Sequence, residues 1–402
     1  MVIQTKNFDA NKQIVHHSNN DDVIMVNATL DPYLDVRAQV TRYRILNGSS
    51  QRVFNLGLTG GHTTYQIASD GGCLVKPVSI TRLWLAPGER AGIPINFSED
   101  QGKTISLMSY ASGLQNGIYG ATNPGMGPGM TMTNYNPNAL NGADFKIMNF
   151  KIGSPNSSAI TSIPSSLITN NSIPVGSANI TRNLTLNPEF IGMNQLNGNF
   201  QINNTSFDMG VINYRIPLNN IEIWSIRNLT GIAHPFHIHD MQFQIIDRNG
   251  TAVSTQESGR KDVVLIKPQE TVRFITQFLD FADTTTPYMF HCHMLKHEDE
   301  GMMGQFVVYD TSGHNTVDNK TQTSSIRVYP NPAKGSINIR TAENQELQSY
   351  AMYSSSGAIV KQGTFNANTR LYNVDVANLN AGIYVIHVVT PKGSITRKIF
   401  LQ

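Results

Sequence analysis

A chain of 402 residues in which 40% are hydrophobic, with 32 glycines and 18 prolines, has room for two to three domains that each bury a core and turn often. Its formal net charge of +2 gives no electrostatic case for nucleic acid or an anionic membrane surface, and no uninterrupted apolar stretch reaches the length that spans a bilayer. With only two cysteines, the fold has to stand on its cores and not on a disulfide framework.

The opening stretch MVIQTKNFDANKQ holds no apolar run that would serve as a secretory signal. From residue 24 to 98 come VNATLDPYLDV, TRYRILNGSSQRVFNLGL, HTTYQIASDGG and TRLWLAPGERAGIPINF. These short runs of Val, Ile, Leu, Tyr and Phe are broken by Asn-Gly, Gly-Gly and Pro-Gly at roughly ten-residue spacing, as in an antiparallel sandwich. The pattern predicts a first domain over residues 1–152. His16, His17, His62 and Cys73 lie in it without His-x-His pairing and read as ordinary core or surface residues. Residues 121–138 are rich in Gly, Pro and Met. The thioethers of Met126, Met130 and Met132 suit Cu(I), so the loop reads either as a soft-metal entry surface or as a flexible loop with an adaptable filler.

The polar stretch 153–182 reads as a linker or long crossover, and 183–310 as a second sandwich. GNFQINNTSF and the earlier VNATL each look like a segment that opens the strand pairing of such a domain, which supports a repeated sandwich. A polar linker follows at 311–325, containing His314. Residues 326–402 then alternate apolar and polar between Gly, Asn and Pro turns, the pattern of a small antiparallel sandwich, with His387 isolated in it.

Two motifs in the second sandwich carry chemistry. HPFHIH at 234–239 and HCHMLKHEDEGMM at 291–303 hold six of the 11 histidines and one of the two cysteines. A thiolate, an imidazole and a thioether at Cys292, His297 and Met302 are three of the four groups of a blue-copper centre, and His234 is the candidate fourth. On an extended strand, His291 and His293 point away from the side that Cys292 faces, and His237 and His239 share a face. Cys292 is thus bonded in the chain between two further potential ligands. Zinc also suits Cys and His, but it gives no reason for Met302 or for the His-Cys-His run.

The two motifs resemble those of the multicopper oxidases, whose C-terminal cupredoxin domain carries H-P-x-H-x-H followed by H-C-H-x-x-x-H-x-x-x-x-M. The resemblance implies an all-β chain: two cupredoxin-like Greek-key β-sandwiches, the first without metal, followed by the small antiparallel sandwich. It implies copper as cofactor, with His234, Cys292, His297 and Met302 at a type 1 copper, His237 at a type 2 copper, and His239, His291 and His293 at a type 3 pair. Cys292, His291 and His293 would then be the catalytic relay. Glu298 matches an acidic position implicated in proton delivery in some members, and reads equally as a solvated carboxylate; Asp240, beside His239, is a candidate to fix an imidazole tautomer. The implied reaction takes electrons singly from a phenol, Cu(I) or Fe(II) and reduces dioxygen to water at a trinuclear cluster. That cluster uses eight histidines in the family, and this sequence supplies four; no His-x-His occurs before residue 237. The expectation is an N-terminally truncated oxidase, with ligands donated by a partner chain as a competing reading. The functional alternative is a non-catalytic cupredoxin that carries electrons at a type 1 copper.

The last segment has its own resemblance. Its Y-P-N-P start, the L-N-A-G-I-Y-V-I block and Arg397-Lys398 resemble the C-terminal sorting domain of the type IX secretion system of Bacteroidetes bacteria. This implies export through the periplasm by that machinery, and a secreted or cell-surface location.

Overall fold

The computed structural model describes residues 1–136, 138–169, 172–310, 326–341, 346–354, 358–366, 369–390 and 393–402. The expected linker 311–325, with His314, lies outside the described residues. The chain divides into two compact units, Met1–Thr311 and Ser312–Gln402.

In the first unit the described strands form four sheets that close into two sandwiches. Strand Val40–Asn47 turns Tyr43, Ile45 and Asn47 inward while their neighbours face out, and Thr104–Tyr110 does the same with Ile105, Leu107 and Ser109. Such alternation puts one face of each strand on the core. The seven-stranded sheet that holds Val40–Asn47 and the five-stranded sheet that holds Thr104–Tyr110 bury these faces in one cluster around Phe54, Phe97 and Phe150. The second sandwich pairs a six-stranded sheet with a five-stranded one around Trp224, Phe236, Phe274 and Phe290. At roughly 1.5–3 kcal/mol for each large apolar side chain, these clusters are the main stabilising term.

The two sandwiches meet over Val53, Ala86, Ala111 and Ile118 on one side and Ala233 and Leu265 on the other. Charged groups border the contact. Lys261 Nζ lies 2.9 Å from Asp70 and 3.1 Å from Glu89, and the Arg90 guanidinium holds both oxygens of Asp262 at 2.5 and 2.6 Å. Between Gly153 and Ile180 the chain lies on both sandwiches: Val40 N–H donates to Ile160 O, Leu167 N–H to Val75 O, and Ile173 N–H to Gln244 Oε1.

One expectation is corrected here. Of the three methionines of the 121–138 loop, Met132 is buried with Tyr119 and Tyr135 in the core of the second sandwich, and Met130 packs against that core. Only Met126 is exposed, so the loop is a plug between sandwiches and not a methionine-lined entry surface. The thioethers of Met130 and Met132 fill a gap no strand reaches, while bonds such as Met126 N–H to Gly231 O and Tyr135 N–H to Met132 O satisfy the loop's backbone.

The named strands of the second unit pair antiparallel in a three-stranded and a four-stranded sheet, with an isolated parallel bridge between Ala333 and Leu401. Ile337, Ile339, Met352, Ile386, Val388 and Ile399 form its core.

Candidate metal centre

Strand His234–Ile238 lies inside the five-stranded sheet, paired on one side with Val263–Ile266 and on the other with Asp283–Cys292. The register sets Phe236 opposite Cys292 and His237 opposite His291. Because directly opposed residues share a face and successive ones alternate, even-numbered His234, Phe236 and Cys292 face the core. Odd-numbered His237, His239, His291 and His293 face the other way.

On the core side three donor atoms converge. Cys292 Sγ lies 3.5 Å from His234 Nδ1 and 3.7 Å from His297 Nδ1, and the two Nδ1 atoms are 3.2 Å apart. A first-row metal with bonds of about 2.0 Å to nitrogen and about 2.3 Å to sulfur, at angles between tetrahedral and trigonal, spans donor edges of about 3.3–3.7 Å. All three residues and Met302 are essentially inaccessible to solvent. His297 arrives on the short helix Leu295–Asp299, whose turn returns the chain so that Met302 N–H donates to His297 O and Cys292 N–H to Met302 O. That brings the thioether residue beside the triad at backbone level.

Neighbouring groups orient the ligands. Thr230 Oγ1 is 2.9 Å from His234 Nε2, and with its proton directed at Asn228 Oδ1 or Ile232 O it accepts from Nε2–H, leaving Nδ1 as a bare lone pair. Phe200 packs on both rings, with centroids 4.9 Å from His234 and 4.5 Å from His297. The Met294 N–H points at Cys292 Sγ from 3.5 Å. Burial holds His234 down at about 3 and holds His297 well below the usual histidine range, so both imidazoles are neutral and available to a metal. Burial pushes the Cys292 thiol well above its usual value, so a metal that binds there displaces its proton.

On the opposite face the four imidazoles form a second group. His239 Nε2 and His291 Nε2 are 3.1 Å apart; the rings of His237 and His291 are 5.2 Å apart, and those of His237 and His293 5.4 Å. His237 Nδ1–H donates to Asp262 O at 2.8 Å and His291 Nδ1–H to Cys292 O at 2.9 Å, which frees both Nε2 atoms. Burial lowers His237 to about 4.

Asp262, not Asp240, supports this group. No hydrogen bond joins Asp240 to His239 among the described residues; Asp240 sits in a left-handed backbone conformation, φ 68°. Asp262 reaches His237 from the neighbouring strand and is itself clamped by Arg90 of the first sandwich. Glu298 is not a free surface carboxylate: its Oε2 lies 3.3 Å from His291 Nδ1. Burial works to raise Glu298, but His291 and the other imidazoles hold it below the usual carboxylate range. Gly88, also of the first sandwich, backs the His293 ring so closely that a Cβ there would sit 2.5 Å from the ring. Asp262, Arg90, Thr230, Phe200 and Gly88 were missed in the sequence; Gly88 in Pro-Gly carried a turn signal, but nothing local pointed to the histidines. Cys73 is free and half-buried, His62 lies 3.9 Å from Asp100, and His387 meets Thr396 Oγ1 in the second unit.

Comparison with known proteins agrees with this geometry. Residues 180–312 match the multicopper oxidase family model, and 327–402 match the secretion system C-terminal sorting domain. A multicopper oxidase of Staphylococcus haemolyticus is 29% identical over 77% of this chain and 58% of its own length. A laccase of Bacillus stratosphericus is 31% identical over 70% of the chain and 54% of its own. The multicopper oxidase McoA of Aquifex aeolicus superposes with a TM-score of 0.62 at 29% identity, over 77% of this chain and 65% of the other. The chain thus spans little more than half the length of the relatives it matches in sequence.

Proposed function

The chain carries a multicopper oxidase domain and a secretion sorting domain that directs it to the cell surface or the exterior, and from that premise we propose that it oxidises a phenol, Cu(I) or Fe(II) by single electrons, coupled to reduction of dioxygen to water. In this reading His234, Cys292, His297 and Met302 hold a type 1 copper, His237 a type 2 copper, and His239, His291 and His293 a type 3 pair. Bound copper supplies one-electron redox chemistry at the first group and dioxygen reduction at the second. The donor set fits: a buried thiolate with two neutral imidazoles and a neighbouring thioether suits copper better than zinc.

The residues of the chain divide the work by face. Phe200 and the surrounding core keep water from the Cys292 side, where solvent exclusion and the Met302 thioether would tune a bound copper. Cys292 is joined by peptide bonds to His291 and His293, so the two groups are linked covalently across a single strand. Glu298, held ionised by the imidazoles, can accept a proton at Oε2, 3.3 Å from His291 Nδ1. In this reading the four outward imidazoles would hold part of the copper cluster at which dioxygen is reduced. Passage through the type IX secretion machinery is the matching proposal for the tail.

The observation that carries this reading is the convergence of His234 Nδ1, Cys292 Sγ and His297 Nδ1 one residue away from an outward four-imidazole group. Copper content, visible absorption and oxygen consumption of the copper-loaded protein test it. The expected result is intense thiolate-to-copper absorption that Cys292→Ser abolishes, with oxygen consumed once the full cluster is assembled. Blue colour with no oxygen consumption in the assembled protein would favour the electron-carrier reading. Absence of the colour from a copper-loaded, folded protein would refute both.

A further inference from the structure

His16 and His17 have no role in the copper-centre reading, yet the fold carries them to the helix that bears His297. His17 Nε2 lies 2.7 Å from Asp299 Oδ2, and the rings of His16 and His17 are 4.4 Å apart. Donor atoms of all three residues lie within 4.8 Å of one another. The segment is held in place: Val15 N–H donates to Asn7 O, Gln51 Nε2 to Ser18 O, and Asp21 is buried against Arg52. His17 adopts a left-handed backbone, φ 52°, that aims its ring at Asp299 beside that of His16.

A plain His17–Asp299 ion pair accounts for one contact only. It leaves the second imidazole beside the first with no protein hydrogen bond among the described residues. It also leaves the next residue, Glu300, with a buried Oε2 that has no hydrogen-bond partner among the described residues. Two imidazoles and a carboxylate on an open face suit a borderline divalent ion, which takes nitrogen donors as readily as oxygen and completes its shell with water.

We propose that His16, His17 and Asp299 form a third, solvent-facing site for a divalent transition cation such as Zn²⁺, Cu²⁺ or Ni²⁺, separate from both groups above. The ion ties the 16–17 segment of the first sandwich to the helix that carries His297. Equilibrium dialysis of the full chain against Zn²⁺ tests it by the number of ions bound per chain, with folding checked by thermal melting. His16→Gln/His17→Gln and, separately, Asp299→Asn are each expected to lose one bound ion. Added Zn²⁺ is also expected to slow proteolytic cleavage between residues 9 and 20 in the parent and not in either variant. An unchanged zinc count in folded variants overturns the proposal. So does a loss caused by Asp299→Asn alone, since the ion would then sit on carboxylates without the imidazoles. Neither readout uses Cys292, so the result stands apart from the fate of the copper reading.

Discussion

Replacing Lys261 by methionine is expected to unfasten the two sandwiches. Lys261 comes from the second, Asp70 and Glu89 from the first, and all three side chains are buried or nearly so. Methionine keeps most of the volume but removes the ammonium. Asp70 retains the Arg90 N–H at 2.7 Å and the Arg90 guanidinium at 3.9 Å, whereas Glu89 keeps only the Ala86 N–H at 2.7 Å. Removing one partner of a buried ion pair costs about 3–5 kcal/mol, because the other charge is stranded. The pH dependence has a definite sign. Burial first, and then the charge of Asp70, already lift Glu89 above the usual carboxylate range against the pull of Lys261. A carboxyl whose folded pKa is raised contributes stability below its unfolded value of about 4.3 and loses it as pH rises through the folded value. Without Lys261 that lift grows, so the variant should recover part of its loss between about pH 8 and about pH 5, a window in which the parent changes less. Urea unfolding followed by tryptophan fluorescence reads both sandwiches, since Trp84 lies in the first and Trp224 in the second. The triple variant Asp70→Asn/Glu89→Gln/Lys261→Met should regain most of the stability. A loss under about 1 kcal/mol for Lys261→Met at about pH 8, or one of equal size at both pH values, would refute the reasoning.

Further expectations concern the centre and the tail. Thr230→Val removes the oxygen that accepts from His234 Nε2–H and should weaken copper retention by about 10–100-fold, read by competition with a chelator; unchanged retention would show that the hydroxyl does not set the tautomer. Gly88→Ala places a Cβ 2.5 Å from the His293 ring at a backbone φ of 82°. It should destabilise the first unit by about 2–4 kcal/mol from left-handed strain and overpacking, and shift the His293 resonances in NMR spectra; a variant that melts with the parent would contradict the contact. Deleting residues 327–402 removes a unit with its own core, so the unfolding transition of Met1–Thr311 should be unchanged while export is lost. A lowered transition would show that the tail stabilises the rest.

The sequence by itself determined where the candidate ligands cluster and how those of each motif alternate along their strand, because both are local. Spacing within HPFHIH and HCHMLKHEDEGMM, together with the two-residue period of a strand, sets His291 and His293 opposite Cys292 and puts His237 and His239 on one face before any fold is known, while the strand register decides that His234 shares the side of Cys292. Turn residues and alternating runs likewise made the sandwiches legible. Only the tertiary structure decided what supports the ligands. Asp240 is adjacent to His239 in the chain yet makes no hydrogen bond to it among the described residues, while the Asp262 carbonyl accepts from His237 and its carboxylate is fixed by Arg90, 172 residues distant. Met132 looked like loop and is core; His17 looked ordinary and meets Asp299 over a separation of 282 residues. Such contacts depend on strand register and on the docking of one sandwich against another. Those are set by the summed burial of whole faces, which no local spacing records.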